Sequence, residues 1–257
     1  MPTSKYIVLS FLLLITAIIS QTTQSQTINP TPLKLLSYNV YFDDKSGKKR
    51  YPKIIKMLKQ GHYDVIALQE CTPIFLTLLR KEPKFARYFI SQGTNEHGFT
   101  NLVLTNQKVS SWGNIKTPSN MGRSAPYIVL KNSNTLITSV HLESGLFDKK
   151  MRIEQLKKII YDTEKFTNVV ITGDVNFGDD ADEENLLTEF IDLGAKKKQV
   201  TYDVENNTLA AHTKYLFEQS RRLDRFFVKC NECKLSSFKV NDFPFSDHWP
   251  IESKLLF

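Results

Sequence analysis

The stretch 169–176, Val-Val-Ile-Thr-Gly-Asp-Val-Asn, constrains the fold more than any other part of the chain. Its β-branched apolar run reads as a buried strand. Gly173 closes the run, and Asp174 and Asn176 follow two residues apart. Side chains at i and i+2 of an extended segment point the same way, so a carboxylate and an amide are expected together on the strand's C-terminal lip. A carboxylate that takes a proton beside an amide that donates hydrogen bonds suits attack by water on a phosphodiester. Gly, Asp and Asn are also turn residues, and the same letters alone describe a simple turn. The rest of the chain decides between the two by supplying partners or not.

Similar segments recur. Residues 33–42 read as the first strand, after a linker marked by Pro30 and Pro32. Residues 51–59 place Ile54, Ile55 and Leu58 at helical spacing. Residues 64–70 form a short apolar strand ending on Glu70, and Thr72-Pro73 opens a helix. Further strands are expected at 88–90, 102–104, 127–130, 136–144, 222–228 and 249–256. An amphipathic helix is expected over 151–166, and another, with an acidic first turn, over 182–193. Strands alternating with helices, with short strand-to-strand connections between them, give an α/β fold built on mixed sheets.

The N-terminus stands apart. Lys5 precedes an apolar run over 7–19, and polar residues follow over 20–29. That is the length of a secretory h-region and short for a membrane span. The expected organisation is a signal peptide over 1–25, a linker over 26–32 and a catalytic domain over 33–257. The protein is then secreted or otherwise exported, with an uncleaved signal anchor as the alternative. Once the leader is cut, no stable membrane partner is expected, and the domain is expected to be a monomer. The formal net charge of +7 favours encounter with polyanions such as nucleic acid. The clusters Lys48-Lys49-Arg50, Lys196-Lys197-Lys198 and Arg221-Arg222 each read more readily as a solvated face or loop. Zinc needs about four ligands, and Cys230-Asn231-Glu232-Cys233 has no second pair, so a zinc knuckle is not expected. Cys230 and Cys233 either pair locally or stay as two strand-end thiols, and Cys71 is expected to be buried.

Several strands end in polar groups: Asn39, Glu70, His141 with Glu143, and Asp174 with Asn176. Asp224 and the loop Ser246-Asp247-His248 join them. Glu70 and Asp247 are hard oxygen ligands suited to Mg2+, which takes one or two carboxylates and keeps several waters. His248 can donate to a phosphoryl oxygen if an acid fixes its tautomer, and either Asp224 or Asp247 can be that acid.

Taken in order, Tyr38-Asn39, Leu68-Gln69-Glu70, Gly173-Asp174-Val175-Asn176 and Ser246-Asp247-His248 resemble the endonuclease/exonuclease/phosphatase superfamily. His141-Leu142-Glu143-Ser144, Arg152, Gln155-Leu156, Thr201-Tyr202-Asp203 and Arg222-Leu223-Asp224-Arg225-Phe226 look closest to its 5′-tyrosyl-DNA phosphodiesterases. The resemblance implies a four-layer sandwich of two facing mixed sheets flanked by helices, with the site where the strand ends meet. It implies Mg2+, or Mn2+, on Glu70 with Asp247 near it, and Asp174 activating water. Asn39, Asn176 and His248 would stabilise the pentacovalent phosphorus, with Asp224 orienting His248. His141 and Ser144 would contact the phosphate, and Arg152 and Tyr202 the substrate. The chain departs from the tyrosyl-DNA pattern at Tyr41, at Gly145-Leu146 where an Arg is usual, and at Tyr202 in place of Trp. The expected activity is metal-dependent phosphodiester hydrolysis in nucleic acid. The alternative is a secreted lipid phosphodiesterase or phosphatase of the same superfamily, sphingomyelinase-like. No exposed aromatic membrane-anchoring loop is read from the sequence. A non-enzymatic binding module on the same fold is a third class, disfavoured because every motif acid and amide is present.

Overall fold

The structure, a computed structural model, describes residues 32–94, 97–214 and 218–257. The expected signal peptide and nearly all of the linker lie outside the described residues. Among the described residues no helix is long and apolar enough to cross a membrane.

The chain runs β1 (Leu33–Asn39), α1 (Asp44–Gly61), β2 (Val65–Cys71), α2 (Pro73–Lys81), β3 (Phe89–Gln92), β4 (Thr100–Thr105), β5 (Val109–Lys116) and β6 (Ser124–Leu130). It continues through β7 (Thr135–His141), α3 (Lys149–Thr163), β8 (Asn168–Asp174), β9 (Ile191–Leu193), α4 (Thr208–Thr213), β10 (Asp224–Lys229), β11 (Lys234–Val240) and β12 (Ile251–Leu256). Two six-stranded sheets result, in the orders β11-β12-β1-β2-β4-β3 and β5-β6-β7-β8-β10-β9. Leu35, Val65 and Val103 of the first sheet meet Ile137, Val170 and Phe226 of the second in one buried cluster. The alternate residues face outward. Leu36, Ile66 and Leu68 pack against Ile54, Leu58, Phe75 and Leu79 of α1 and α2. Val140, Val169 and Ile171 pack against Leu156 and Ile159 of α3. Central strands are therefore buried on both faces, which is why they read as mostly apolar segments without strict alternation. The layers are helices, sheet, sheet, helix, the sandwich that the resemblance implies.

Local signals set the helix starts. Asp43 caps α1 by accepting from the backbone N–H of Lys45 and Ser46. Thr72 caps α2, accepting from Phe75 N at 3.2 Å, with Pro73 in the first helical turn.

The expected helix over 182–193 does not form. A 3-10 turn covers Asp182–Leu186, and β9 pairs antiparallel with β10, Ile191 opposite Val228. The pairing seats Asp192 against buried arginines, with Oδ2 2.6 Å from Arg222 Nη2 and 2.8 Å from Arg225 Nη1. Tertiary charge pairing overrides a weak local preference. The same contacts change the meaning of a basic cluster. Arg222 is buried, and so is Arg50, which donates to the carbonyls of Val40, Tyr41, Asp43 and Phe245. Both are internal braces and not solvated charges. The first strand ends at Asn39, because Tyr41 turns into the left-handed region at φ 59°. Strands β5 and β11, and the short helix α4, escape the sequence reading. Both strands keep exposed residues along half or more of their length, and neither carries an apolar run. Cys230 and Cys233 form a disulfide across the turn between β10 and β11, and Cys71 is buried.

Gly173 is required where it stands. Its φ is +138°, and a Cβ there would lie 2.0 Å from the Val140 carbonyl oxygen on the neighbouring strand. Gly173→Ala is expected to cost on the order of 3 kcal/mol, from backbone strain and displacement of β7. A lowered thermal unfolding midpoint checks this, and an unchanged midpoint would refute it.

Candidate active site

Strand register builds half of the site. β7 and β8 run parallel with His141 opposite Asp174, and β10 runs antiparallel to β8 with Asp224 opposite Asp174. Three titratable side chains thus form one row at one edge of a sheet. The facing sheet supplies the rest. β1 and β2 pair with Asn39 opposite Gln69, and the ladder with β4 is then broken by a bulge between Leu68 and Cys71. The bulge puts Glu70 in the left-handed region at φ 58°. Bulges of this kind re-aim a side chain beside a site. Here Glu70 Oε2 accepts from Phe42 N at 3.0 Å. Asn39 joins the two sheets. Its Nδ2 donates to Glu70 Oε1 and to Asp174 Oδ2, each at 3.1 Å.

The segment before β12 closes the other side. Ser246 Oγ donates to the Asn39 carbonyl at 2.6 Å, and Trp249 N donates to the Thr201 carbonyl at 2.7 Å. Thr201 Oγ1 in turn accepts from the backbone N–H of Leu223 and Asp224. His248 is thereby fixed between two acids. Its Nδ1 donates to Asp224 Oδ2 at 2.7 Å, and its Nε2 lies 3.6 Å from Asp174 Oδ2. Between the two candidate orienting acids, the geometry therefore selects Asp224. Asp247 instead accepts from Thr213 Oγ1, with its Oδ1 3.2 Å from Ser246 Oγ.

The two histidines differ in charge. Arg123 Nη1 lies 2.8 Å from His141 Nδ1, and a guanidinium only donates, so His141 Nδ1 accepts and the proton sits on Nε2. Burial, then Arg123, holds His141 well below the usual imidazole range, so it is neutral. Burial also opposes charge on His248, but Asp224 and Asp174 outweigh it and raise the imidazole well above that range. Burial, then the Asp247 charge, pushes Glu70 up to about 7. Burial pushes Asp174 up to about 6, with His248 pulling the other way. Burial also raises Asp247.

These groups line a cleft of about 450 Å³. Glu70, His141, Ser144, Asp174, Asn176, Tyr202, Asp247 and His248 all border it, so the structure brings together most residues singled out from the sequence. Buried Asn39 and Asp224 support it from behind. Arg152 does not reach it. Its guanidinium is spent on Glu183 Oε1 at 2.8 Å and on the carbonyls of Glu143 and Gly145, so it braces the turn after β7. Asn176 reaches the cleft by another geometry than the expected one. The strand ends at Asp174, and Asn176 is left-handed at φ 56°. Its N–H donates to Asp174 Oδ1 at 3.0 Å, and its Nδ2 donates to the Leu142 carbonyl. Tyr202 packs its ring on His248, centroids 5.3 Å apart.

Arg123 was not singled out from the sequence. It stands in the loop before β6, donates to Ser144 Oγ at 3.0 Å and lies over the Phe99 ring at 5.2 Å. A guanidinium thus borders Ser144 although Gly145 and Leu146 follow it in the chain. Glu143 holds that loop, accepting from Ser119 Oγ at 2.6 Å and Asn120 N at 2.9 Å. A lone Arg in a polar loop carries no periodic signal, so only its position in space reveals it.

Among the described residues, no group of three or more acids, histidines or cysteines converges as a ready-made metal cage. Mg2+ needs less, one or two carboxylates with water completing the shell. Glu70 and Asp247 suit it by chemistry. Both are oxygen donors, and burial holds both above their usual range, a setting that a divalent cation relieves.

An acid, an imidazolium and convergent donors at the meeting edges of a two-sheet sandwich define a hydrolase of phosphate esters. The model of the Endonuclease/Exonuclease/phosphatase family matches residues 36–248, and the chain belongs to that family. No curated sequence matches it. Among solved structures, D. rerio TDP2 (tyrosyl-DNA phosphodiesterase 2) complexed with single strand DNA product is 20% identical, with a TM-score of 0.76. The match covers 88% of this chain and 99% of that one. Truncated Caenorhabditis elegans TDP2 is also 20% identical, with a TM-score of 0.70 over 88% of this chain and 98% of that one. An endonuclease/exonuclease/phosphatase family protein from Bacteroides thetaiotaomicron is 16% identical, with a TM-score of 0.69 over 89% and 99%. These likenesses establish the sandwich.

Proposed function

We propose that the protein is an exported, Mg2+-dependent phosphodiesterase that cleaves nucleic acid. The observation that carries this is Asp174, buried and flanked within 3.6 Å by Asn39, His141 and His248. Asp174 orients a water and takes its proton. His248 presents Nε2–H to the developing phosphoryl charge, with Asp224 holding its other nitrogen. Asn39 holds Asp174 and Glu70 in register. Neutral His141, Arg123 and Ser144 grip the phosphate. Glu70 and Asp247 would hold the Mg2+, with Mn2+ as a substitute, and the ion supplies charge neutralisation at the phosphoryl oxygens. Such a reaction needs positioning and electrostatic stabilisation more than covalent chemistry.

The net charge of +7 supports a polyanionic substrate, as does the single strand DNA product in the D. rerio structure. The Cys230–Cys233 disulfide supports the exported location, because disulfides persist in oxidising compartments.

One observation favours the lipid alternative. Phe147 is 98% exposed and Leu146 52% exposed on the turn beside Ser144, an apolar tip that the sequence reading passed over. Such a tip suits insertion into a bilayer interface. A substrate panel with Mg2+ separates the two: single-stranded DNA, 5′-phosphotyrosyl DNA, RNA and sphingomyelin vesicles. Turnover of oligonucleotides is expected, and Glu70→Gln is expected to abolish it while leaving the circular dichroism spectrum unchanged. Turnover of sphingomyelin alone would overturn the nucleic-acid assignment. Unchanged activity and Mg2+ dependence in Glu70→Gln would remove Glu70 from the metal site.

A further inference from the structure

Helix α1 carries lysines at 45, 48, 49, 53, 56 and 59, and all six are exposed. At 3.6 residues per turn, they fall within an arc of about 140° and form one row about 21 Å long. The opposite face is the buried one, with Tyr51, Ile54, Ile55 and Leu58 in the core. The helix holds a single acid, Asp44, whose Oδ1 already accepts from Tyr51 Oη and Thr72 Oγ1. Lys59 pairs with Glu82 at 3.0 Å, and Lys53 lies over the Phe245 ring at 4.5 Å. Lys45, Lys48, Lys49 and Lys56 have no carboxylate partner among the described residues. Lysines three and four apart on one face repel, each pair costing a few tenths of a kcal/mol. A helix that merely needs a wet face gains nothing from that arrangement, whereas a bound polyanion relieves it.

The row also starts in a telling place. Tyr41 and Phe42 line the cleft, and Asp43, the next residue, caps α1. Lys45 therefore stands three residues from the cleft wall. Arg50 ties that wall to the helix through the carbonyls of Tyr41 and Asp43.

We propose that the α1 lysines are a rail for the phosphate backbone of a single-stranded nucleic acid whose scissile end lies in the cleft. The proposal rests on the nucleic-acid reading of that cleft. Lysines act as point charges that grip phosphate without reading sequence. An anionic membrane fits the row less well. A membrane-surface helix offers an apolar face to the bilayer, and the apolar face of α1 is already used by the core.

The test is a fourfold variant, Lys45→Gln, Lys48→Gln, Lys49→Gln and Lys56→Gln, beside its fourfold Lys→Arg counterpart. Fluorescence anisotropy of a labelled single strand of about 15 nucleotides, titrated across salt concentrations, reads the affinity. The Gln variant is expected to bind on the order of tenfold more weakly at low salt. Its salt dependence should fall by about 0.7 log unit per tenfold salt for each phosphate that the rail no longer holds. The Arg variant should keep both values. Hydrolysis of bis(p-nitrophenyl) phosphate, too small to reach the rail, should be unchanged in both variants. Equal affinity and slope in the wild type and the Gln variant would overturn the rail. So would loss of binding to phosphatidylglycerol vesicles with oligonucleotide binding intact. If the quadruple Gln variant does not fold, Lys48→Gln with Lys49→Gln gives the same reading at half the slope change. Wild-type protein that leaves bis(p-nitrophenyl) phosphate uncleaved would instead count against the catalytic assignment, and the anisotropy slope would still decide the rail.

Discussion

Asp174→Asn is expected to retain substrate binding and to lose about 10²-fold or more in kcat, the scale of a lost general base. The substitution keeps the shape of a buried side chain that accepts from Asn39 Nδ2 at 3.1 Å and from Asn176 N at 3.0 Å. What it removes is the proton acceptor, together with one of these two hydrogen bonds, because an amide has a single accepting oxygen. Burial pushes Asp174 up to about 6, so in the wild type the base is ionised above that pH and protonated below it. Activity should therefore be present above about pH 6 and fall as the pH is lowered through it. The Asn variant has no such group to titrate, so its residual rate should lack that limb. Rate profiles of both proteins at saturating Mg2+ check the assignment. An Asn variant with wild-type kcat would show that another group takes the proton, and one that keeps the acidic limb would assign that limb to another acid such as Glu70, which burial pushes up to about 7.

His248→Ala should show a loss of about 10²- to 10³-fold, as for removal of a donor aimed at developing charge. The imidazole is held charged by Asp224 and Asp174 against the cost of burial. Asp224 touches no part of the cleft and acts through the 2.7 Å bond to Nδ1. Asp224→Asn should thus slow catalysis on its own, yet add little to His248→Ala. Residues that act as a unit are far from additive. A double-mutant cycle on kcat measures the coupling. Independent, fully additive losses would show that Asp224 does not serve His248.

Most of the site was legible because it lies at the ends of strands buried on both faces. Asn39, His141 and Asp174 each end a strand that is largely buried, and strand pairing then fixes who meets whom. What was not legible depends on partners across space. Arg152 and Arg123 are both arginines near the His-Leu-Glu-Ser segment, one in a helix and one in a loop. Only the position of Glu183 shows that Arg152 is spent on scaffolding, while Arg123 meets Ser144. Residues 182–193 carry a helical composition, but buried arginines claim Asp192 and draw the segment into a sheet. Strand geometry alone puts Asn176 on one face with Asp174. The chain turns first, and a backbone N–H reaches the acid in place of the side chain. Strands β5 and β11 each keep a wet face and so lack the signal that marks the central ones.

The two hydrogens of the Asn39 amide go to carboxylates that belong to different sheets, Glu70 on one and Asp174 on the other. Neither sheet alone holds both carboxylates. A chain with one sheet formed and the other still loose has no working centre, however native its strands. With the roles proposed, hydrolytic competence belongs to the closed sandwich and not to either sheet. If the protein is exported as proposed, the chain stays inert for as long as it is kept unfolded in transit.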